Sequence, residues 1–211
     1  PCFRFKRGLM TPIKHLVFDM GGVLVRIHWH QEVSRILQKD VPFEQIHALW
    51  GNAYSTHAFE TGQLDFEAFT DAFIDEFKPA LDRATFQATF RNILDDDFPG
   101  ITDLLHRLRK RYTLSLLSNT NACHWQMLVE RNTFLPLIDH HFTSMTLGVM
   151  KPDPAIYEAV QSALNADPAT ILFFDDGLKN VEAARALGWH AEQVFGPEDI
   201  RQQLSHYPLD C

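Results

Sequence analysis

Short apolar segments alternate with amphipathic segments along most of the chain, and this alternation predicts its elements. Residues 13–18 (IKHLVF) form an apolar run that ends in Asp19-Met20-Gly21-Gly22, as a buried strand followed by a sharp turn would. Further on, the pattern predicts helices at 101–111, from 121, at 153–164 and at 181–187, and strands at 112–117, 141–146, 170–174 and 190–194. Because strands that alternate with helices favour a parallel sheet with right-handed crossovers, we expect a Rossmann-like α/β core.

The segment between the first two core strands has a helical period instead. Its apolar residues recur every three or four positions, most clearly at Phe66, Phe69, Phe73 and Phe77. Turn signals near 40–42, 61–62 and 78–79 divide the segment into four helices. We therefore predict an all-helical cap domain at 28–95, inserted into a core formed by 10–27 and 96–211. Asp95-Asp96-Asp97 is expected to be a solvated loop that leads back into the core.

The composition narrows the possible partners. The 211 residues include 19 Lys and Arg against 27 Asp and Glu, and the net charge of −8 argues against nucleic acid as a partner. Three widely spaced cysteines form no disulfide framework, so we expect a cytoplasmic protein. No apolar run is long enough to span a membrane, and the basic residues at 1–7 lack the apolar core of a signal peptide. Met10 is a candidate start of the core.

Polar residues follow each predicted core strand at the point where it ends. Asp19 follows the first strand, Ser118-Asn119-Thr120 the second, Lys151 the third, and Asp175-Asp176 the fourth, with Asn180 four residues later. Each group alone has an ordinary explanation as a turn or cap residue. Together they should meet, since ligands bind at the carboxyl ends of parallel strands. Carboxylates crowded there need a cation such as Mg²⁺, and a carboxylate can itself attack phosphorus.

In the order and spacing of these motifs, the chain resembles the haloacid dehalogenase-like (HAD) hydrolase superfamily. The resemblance covers about residues 13–194 and rests on Phe18-Asp19-Met20-Gly21-Gly22-Val23-Leu24, Leu117-Ser118-Asn119-Thr120, Lys151-Pro152, and Phe173-Phe174-Asp175-Asp176 with Asn180. The helical segment is similar to that family's cap domain in its all-helical form. Glu60-Thr61-Gly62 and the two glycines after Asp19 most resemble the glucose-1-phosphatase-like branch.

The resemblance implies a phosphatase that acts on a small phosphorylated metabolite, with a sugar phosphate such as glucose 1-phosphate favoured. Asp19 would be the nucleophile and a ligand of Mg²⁺. The remaining metal ligands would be Asp176, Asp175 and the backbone carbonyl of Gly21. Lys151 would act in catalysis and bind the phosphate together with Ser118, the backbone N–H of Asn119, and Gly22. Asn180 and Glu60 would support the site.

One position departs from the family pattern. Most phosphatases of the family carry a second Asp two residues after the nucleophile, which protonates the leaving oxygen, and here that position is Gly21. Three hypotheses follow. The protein is a phosphatase that needs no acid or takes one from His28, His57 or Glu60. It is a catalytically weak regulatory protein that binds phosphate and metal. Or it is a metal-free 2-haloacid dehalogenase, which the adjacent carboxylates Asp175 and Asp176 disfavour.

Overall fold

Seven strands and eleven helices account for most of the computed structural model, which describes residues 11–38, 42–131 and 134–207. Met10, where the core was predicted to begin, lies outside these ranges. The strands are β1 (His15–Phe18), β2 (Val25–Ile27), β3 (Leu94–Asp97), β4 (Thr113–Ser118), β5 (His140–Thr143), β6 (Ile171–Asp175) and β7 (His190–Gln193). The helices are α1 (Trp29–Leu37), α2 (Phe43–Asn52), α3 (Tyr54–Glu60), α4 (Phe66–Phe77), α5 (Arg83–Arg91), α6 (Ile101–Leu108), α7 (Ala122–Arg131), α8 (Ser144–Leu147), α9 (Pro154–Leu164), α10 (Leu178–Ala186) and α11 (Pro197–Leu204).

Five of the strands form one parallel sheet in the order β5-β4-β1-β6-β7, which confirms the predicted α/β fold. β1 lies in the centre, where Phe18 is opposite Leu116 of β4 and Phe174 of β6. Successive side chains pack on opposite faces: Phe18 and Phe174 in one apolar cluster, Val17 and Phe173 in another. Because the five strands are parallel, their carboxyl ends lie along one edge of the core.

The helices α1 to α5 pack around an apolar cluster of their own, rich in phenylalanine. Phe59 stacks on Phe69 with ring centroids 4.3 Å apart, and both rings lie against Phe90. Within the described residues the segment holds five helices, not the four predicted, because Ala53 takes an extended conformation between α2 and α3. We propose that these helices form a cap domain with the boundaries predicted from the sequence.

A two-stranded antiparallel ribbon, β2 with β3, connects the core to these helices, and the sequence did not predict it. Asp95, Asp96 and Asp97 belong to β3, so the prediction of a solvated loop was wrong. Arg26 Nε lies 3.3 Å from Asp95 Oδ2, and His28 Nε2 lies 3.1 Å from the same oxygen. The charge of Arg26 offsets that of the neighbouring carboxylates, which allows an acidic segment to form a strand.

Among the helices of the described ranges, none combines the length and the apolar composition that crossing a bilayer requires.

Candidate active site

Asp19 is held at the end of β1 by a tight turn. Its backbone N–H donates to the carbonyl of Phe174, 2.8 Å away, so the sheet pairing continues to this residue. The turn then closes on Met20, whose carbonyl accepts hydrogen bonds from the N–H groups of Leu24 and Val25. Asp19 is only 8 % exposed, and its carboxylate therefore has a fixed position at the edge of the sheet.

Lys151 joins the carboxylates of β1 and β6. Its Nζ lies 2.8 Å from Asp19 Oδ1, 2.5 Å from Asp175 Oδ2 and 3.0 Å from the carbonyl of Leu117. Burial alone would lower the pKa of Lys151, but Asp175 and Asp19 outweigh it and raise that pKa above its usual value. Burial raises the pKa of Asp19 above its usual value, and the adjacent ammonium group of Lys151 opposes that rise. The predicted nucleophile and the predicted lysine are thus in direct contact.

The two adjacent acids of the fourth motif have different environments. Asp175 is fully buried, and its Oδ1 accepts hydrogen bonds from the Gly177 N–H at 2.7 Å and from Asn180 Nδ2 at 2.9 Å. Both of its oxygens are therefore engaged, which makes Asp175 the residue that orients Lys151 and Asn180. Asp176 is partly exposed, and burial together with Asp19 and Asp175 raises its pKa to about 7. The geometry favours Asp176 over Asp175 as the metal ligand of the pair.

The carboxylates of Asp19, Asp175 and Asp176 suit a hard divalent cation. One oxygen from each lies within 4.8 Å of the others, and Lys151 forms ion pairs with Asp19 and Asp175. Oxygen ligands and excess negative charge are what Mg²⁺ selects. The backbone carbonyl of Gly21 stays a predicted fourth ligand.

Because Gly22 has no side chain, the carboxylate of Asp176 can lie directly against the backbone of the turn that follows β1. A Cβ atom at this position would lie 2.4 Å from Asp176 Oδ2, and the φ angle of +77° also favours glycine. Its N–H donates to the Val25 carbonyl at 2.8 Å, so it is not available to a phosphate. The structure therefore assigns Gly22 a steric role instead of the predicted phosphate contact.

Ser118 and Asn119 lie where β4 ends, beside Asp19 on the neighbouring strand. Ser118 is almost fully buried, and its Oγ makes a long contact of 3.5 Å with the Asn119 carbonyl. The side chain of Asn119 forms two hydrogen bonds with the backbone of Lys151, to its carbonyl at 2.9 Å and from its N–H at 2.8 Å. Asn119 thus positions the loop that carries the lysine. The sequence analysis considered only its backbone N–H, whose role stays a prediction.

Ser144, which the sequence analysis did not single out, connects the cap to the edge of the sheet. Its Oγ lies 2.6 Å from the carbonyl of Glu60, at the end of α3, and accepts a hydrogen bond from the Thr120 N–H at 3.0 Å. Thr120 lies only two residues after Ser118. This side of the cap therefore rests directly on the loop that follows β4.

A second connection between cap and core involves His124 of α7, another residue that the sequence analysis missed. Its Nε2 is 2.9 Å from the Phe90 carbonyl, and its Nδ1 is 3.1 Å from Asn121 Nδ2. A carbonyl only accepts and the Asn121 amino group only donates, so the imidazole is neutral with its proton on Nε2. Burial lowers the pKa of His124 from 6.5 to about 4.

Acid should destabilise the protein through His124. Between pH 6.5 and 4 the unfolded state binds a proton that the folded state excludes, so stability falls as the pH falls, by about 2 kcal/mol on reaching pH 5. Urea unfolding at pH 7 and pH 5 measures this loss, which should be smaller by that amount in His124→Gln. The exposed control His106→Gln should retain the wild-type dependence. Equal pH dependence in wild type and His124→Gln would contradict the assignment.

An apolar side chain lies beside Gly21, the position where most phosphatases of the family carry the second Asp. A Cβ atom at residue 21 would lie 3.3 Å from both the Cδ1 and the Cγ2 of Ile27. Of the substitutes considered from sequence, His28 is paired with Asp95, and His57 is exposed on α3. The backbone carbonyl of Glu60 contacts Ser144, whereas its carboxyl group accepts a hydrogen bond from Trp50 Nε1 among the helices α1 to α5.

Comparisons with known proteins agree with this arrangement. The family model of haloacid dehalogenase-like hydrolases matches residues 13–188. A D-ribitol-5-phosphate phosphatase of Bacteroides thetaiotaomicron is 27% identical over 92% of this chain and 97% of its own length. A phosphatase (MT3486) of Mycobacterium tuberculosis is 29% identical over 86% of this chain and 87% of its own.

A solved structure of a similar protein matches the fold of this chain as well. It is a HAD family enzyme from Bacteroides thetaiotaomicron in complex with magnesium and inorganic phosphate, 26% identical with a TM-score of 0.72, covering 86% of this chain and 93% of that one. The glucose-1-phosphatase-like branch stays a prediction. With a family model that matches residues 13–188, a range that includes all four motifs, the chain belongs to the haloacid dehalogenase-like hydrolase family.

Proposed function

We propose that the protein is a Mg²⁺-dependent phosphatase that hydrolyses small phosphate monoesters through an aspartyl-phosphate on Asp19. The contact of Asp19 with Lys151 is the observation that carries this proposal, because the ammonium group stabilises the charged form of the carboxylate at the edge of the sheet. The phosphatases among the relatives, and the magnesium and phosphate bound in the similar structure, support it.

The residues of the site have distinct roles in the proposed reaction. Lys151 holds Asp19 Oδ1, which leaves Oδ2 to attack phosphorus while the ester oxygen departs. Ser118 Oγ and the backbone N–H of Asn119 would bind the phosphoryl oxygens. Water then attacks the phosphorus of the aspartyl-phosphate and regenerates Asp19. Mg²⁺, held by Asp19, Asp176 and the Gly21 carbonyl, would offset the negative charge of the phosphate.

The proposed substrate is a sugar or polyol phosphate. A relative named for D-ribitol 5-phosphate, aligned over 92% of this chain, is consistent with that class. Glucose 1-phosphate remains the favoured substrate of this class. Its anomeric oxygen is a better leaving group than the oxygen of an ordinary alcohol, so its departure depends less on protonation by a general acid.

The two alternatives receive less support from the site. A metal-free dehalogenase would have to keep Asp176 beside Asp19 and Asp175 with only one lysine to offset three carboxylates. A regulatory protein without turnover would not need the contact by which Lys151 holds the carboxylate of Asp19 in place.

A screen of phosphate esters tests the proposal. We expect the purified protein to release phosphate from at least one sugar or polyol phosphate in the presence of Mg²⁺. Because the three carboxylates need the cation, EDTA should abolish the release and added Mg²⁺ should restore it. If no ester is hydrolysed faster than by an Asp19→Asn blank, the proposal is wrong. Activity on 2-haloacids that persists in EDTA would support the dehalogenase instead.

A further inference from the structure

The hydroxyl group of Ser144 lies between the cap and the core and has more acceptors than it can serve at once. Its Oγ lies 2.6 Å from the carbonyl oxygen of Glu60 in the cap and 3.1 Å from the carbonyl oxygen of Thr120 in the core. The same Oγ accepts a hydrogen bond from the Thr120 N–H at 3.0 Å. A serine hydroxyl carries one proton, so it donates to one of the two carbonyls at a time. The shorter distance favours Glu60.

On the cap side, Ser144 binds the C-terminal end of a helix. The carbonyls of a helix's last turn lack partners within the helix, and Glu60 is the last residue of α3. The turn that follows lies against α8, since a Cβ atom at Gly62 would be only 2.4 Å from the Met145 carbonyl oxygen. Gly62 thus allows the end of α3 to rest on α8, where Ser144 is fully buried.

On the core side, Ser144 holds the backbone of the loop after β4. Thr120 directly follows Asn119, whose side chain forms two hydrogen bonds with the backbone of Lys151, at 2.9 and 2.8 Å. Lys151 in turn places its Nζ 2.8 Å from Asp19 Oδ1. A continuous series of contacts therefore leads from the cap through Ser144 to the carboxylate of Asp19.

The two acceptors give this junction two arrangements. With the cap seated on α8, the hydroxyl proton goes to Glu60, and Ser144 holds the Thr120 backbone by its N–H alone. If α3 lifts from α8, the proton can turn to the Thr120 carbonyl, so no buried hydroxyl is left unpaired, and water can bind the Glu60 carbonyl. The loop after β4 is therefore held differently in the two arrangements.

We propose that Ser144 is a positioning residue that couples the seating of the cap to the alignment of Asn119 and Lys151. The inference rests on the proposed function, because it assigns this loop to phosphate binding. A phosphate that binds Ser118 and the Asn119 N–H in the seated arrangement stabilises that arrangement. By linkage, the seated cap strengthens phosphate binding to the same extent.

Hydrogen exchange of backbone amides tests this coupling, with inorganic phosphate as the probe. In the wild type with Mg²⁺, saturating phosphate should slow exchange at residues 118–120, where it binds. It should also slow exchange at residues 61–64, where the turn after α3 rests on α8, by at least about fivefold. In Ser144→Ala, phosphate should still slow exchange at 118–120 but not at 61–64, because the hydroxyl that joins them is gone.

Ser55→Ala is the matched control. Ser55 is another fully buried serine, and its Oγ donates to Glu76 Oε2 at 2.7 Å within the cap. Its loss should destabilise the protein but keep the response to phosphate at 61–64. At saturating substrate, kcat for the best phosphate ester should fall by about fivefold or more in Ser144→Ala and change by less than about twofold in Ser55→Ala.

The possible outcomes separate the inference from the proposed function. Phosphate that slows exchange at 118–120 in the wild type and leaves 61–64 unchanged would overturn the coupling, and this measurement needs no variant. The role of Ser144 would be overturned by an equal response in Ser144→Ala, or by a loss of kcat in Ser55→Ala as large as that in Ser144→Ala. No response to phosphate at 118–120 in the wild type, together with no Mg²⁺-dependent turnover, would instead overturn the proposed function.

Discussion

Asp19→Asn should lower kcat for the best phosphate ester by at least about 10⁴-fold, a loss typical of hydrolases whose covalent nucleophile is removed. An amide oxygen is a poor nucleophile toward phosphorus. The amide still accepts from Lys151 Nζ, so the fold should be preserved. Acid-quenched wild-type protein should carry label from a radiolabelled phosphate ester, and the variant should carry none.

Asp153→Asn is a suitable control for this experiment. Asp153 is an exposed carboxylate that caps α9, where its side chain accepts a hydrogen bond from the Ala155 N–H. Asparagine caps helices as well as aspartate does, so turnover should stay at the wild-type level. If Asp19→Asn retained a tenth of the wild-type kcat, Asp19 would not be the nucleophile.

Lys151→Met should reduce both stability and turnover. Its ammonium group is shared by the buried carboxylates of Asp19 and Asp175, and methionine would leave both without their cation. Removing one partner of a buried ion pair costs about 3–5 kcal/mol in free energy of unfolding, because the remaining charge is uncompensated. Urea unfolding without Mg²⁺ measures this cost. Turnover should be lost as well. Without the ammonium group, nothing from Lys151 opposes the rise that burial causes in the pKa of Asp19, and the protonated form of Asp19 is a poor nucleophile.

Lys179→Met supplies the matched comparison. Lys179 is an exposed lysine of α10, four residues after Asp175 in the sequence. Replacing it should change the free energy of unfolding by less than about 0.5 kcal/mol. A Lys151→Met protein as stable as the wild type would show that Lys151 does not balance the buried carboxylates.

The residues at the ends of the core strands could be predicted from sequence for a simple physical reason. Parallel strands point the same way, so Asp19, Ser118 and Asp175 had to meet at one edge once the alternation of strands and helices was recognised. The helix predicted at 153–164 is α9 (Pro154–Leu164), and its start depends only on local chemistry, because Asp153 caps it.

What the sequence did not reveal depends on contacts between distant segments. β2 has three residues and β3 contains three acids, so neither shows a strand pattern before the two are paired. Asp175 and Asp176 are adjacent residues of the same type, so the sequence does not show which of the two side chains is buried. Ser144 and His124 acquire their roles from the cap, which lies far from both in the chain.

The contact of Ile27 with Gly21 would be felt by any larger residue at position 21. A Cβ atom there would lie 3.3 Å from both the Cδ1 and the Cγ2 of Ile27, so the Ile27 side chain would have to move by a few tenths of an ångström. Ile27 is 37 % exposed, which leaves its side chain room to move. Installing the usual acid at residue 21 therefore tests how well Ile27 can repack, and a smaller residue at 27 would make that change easier.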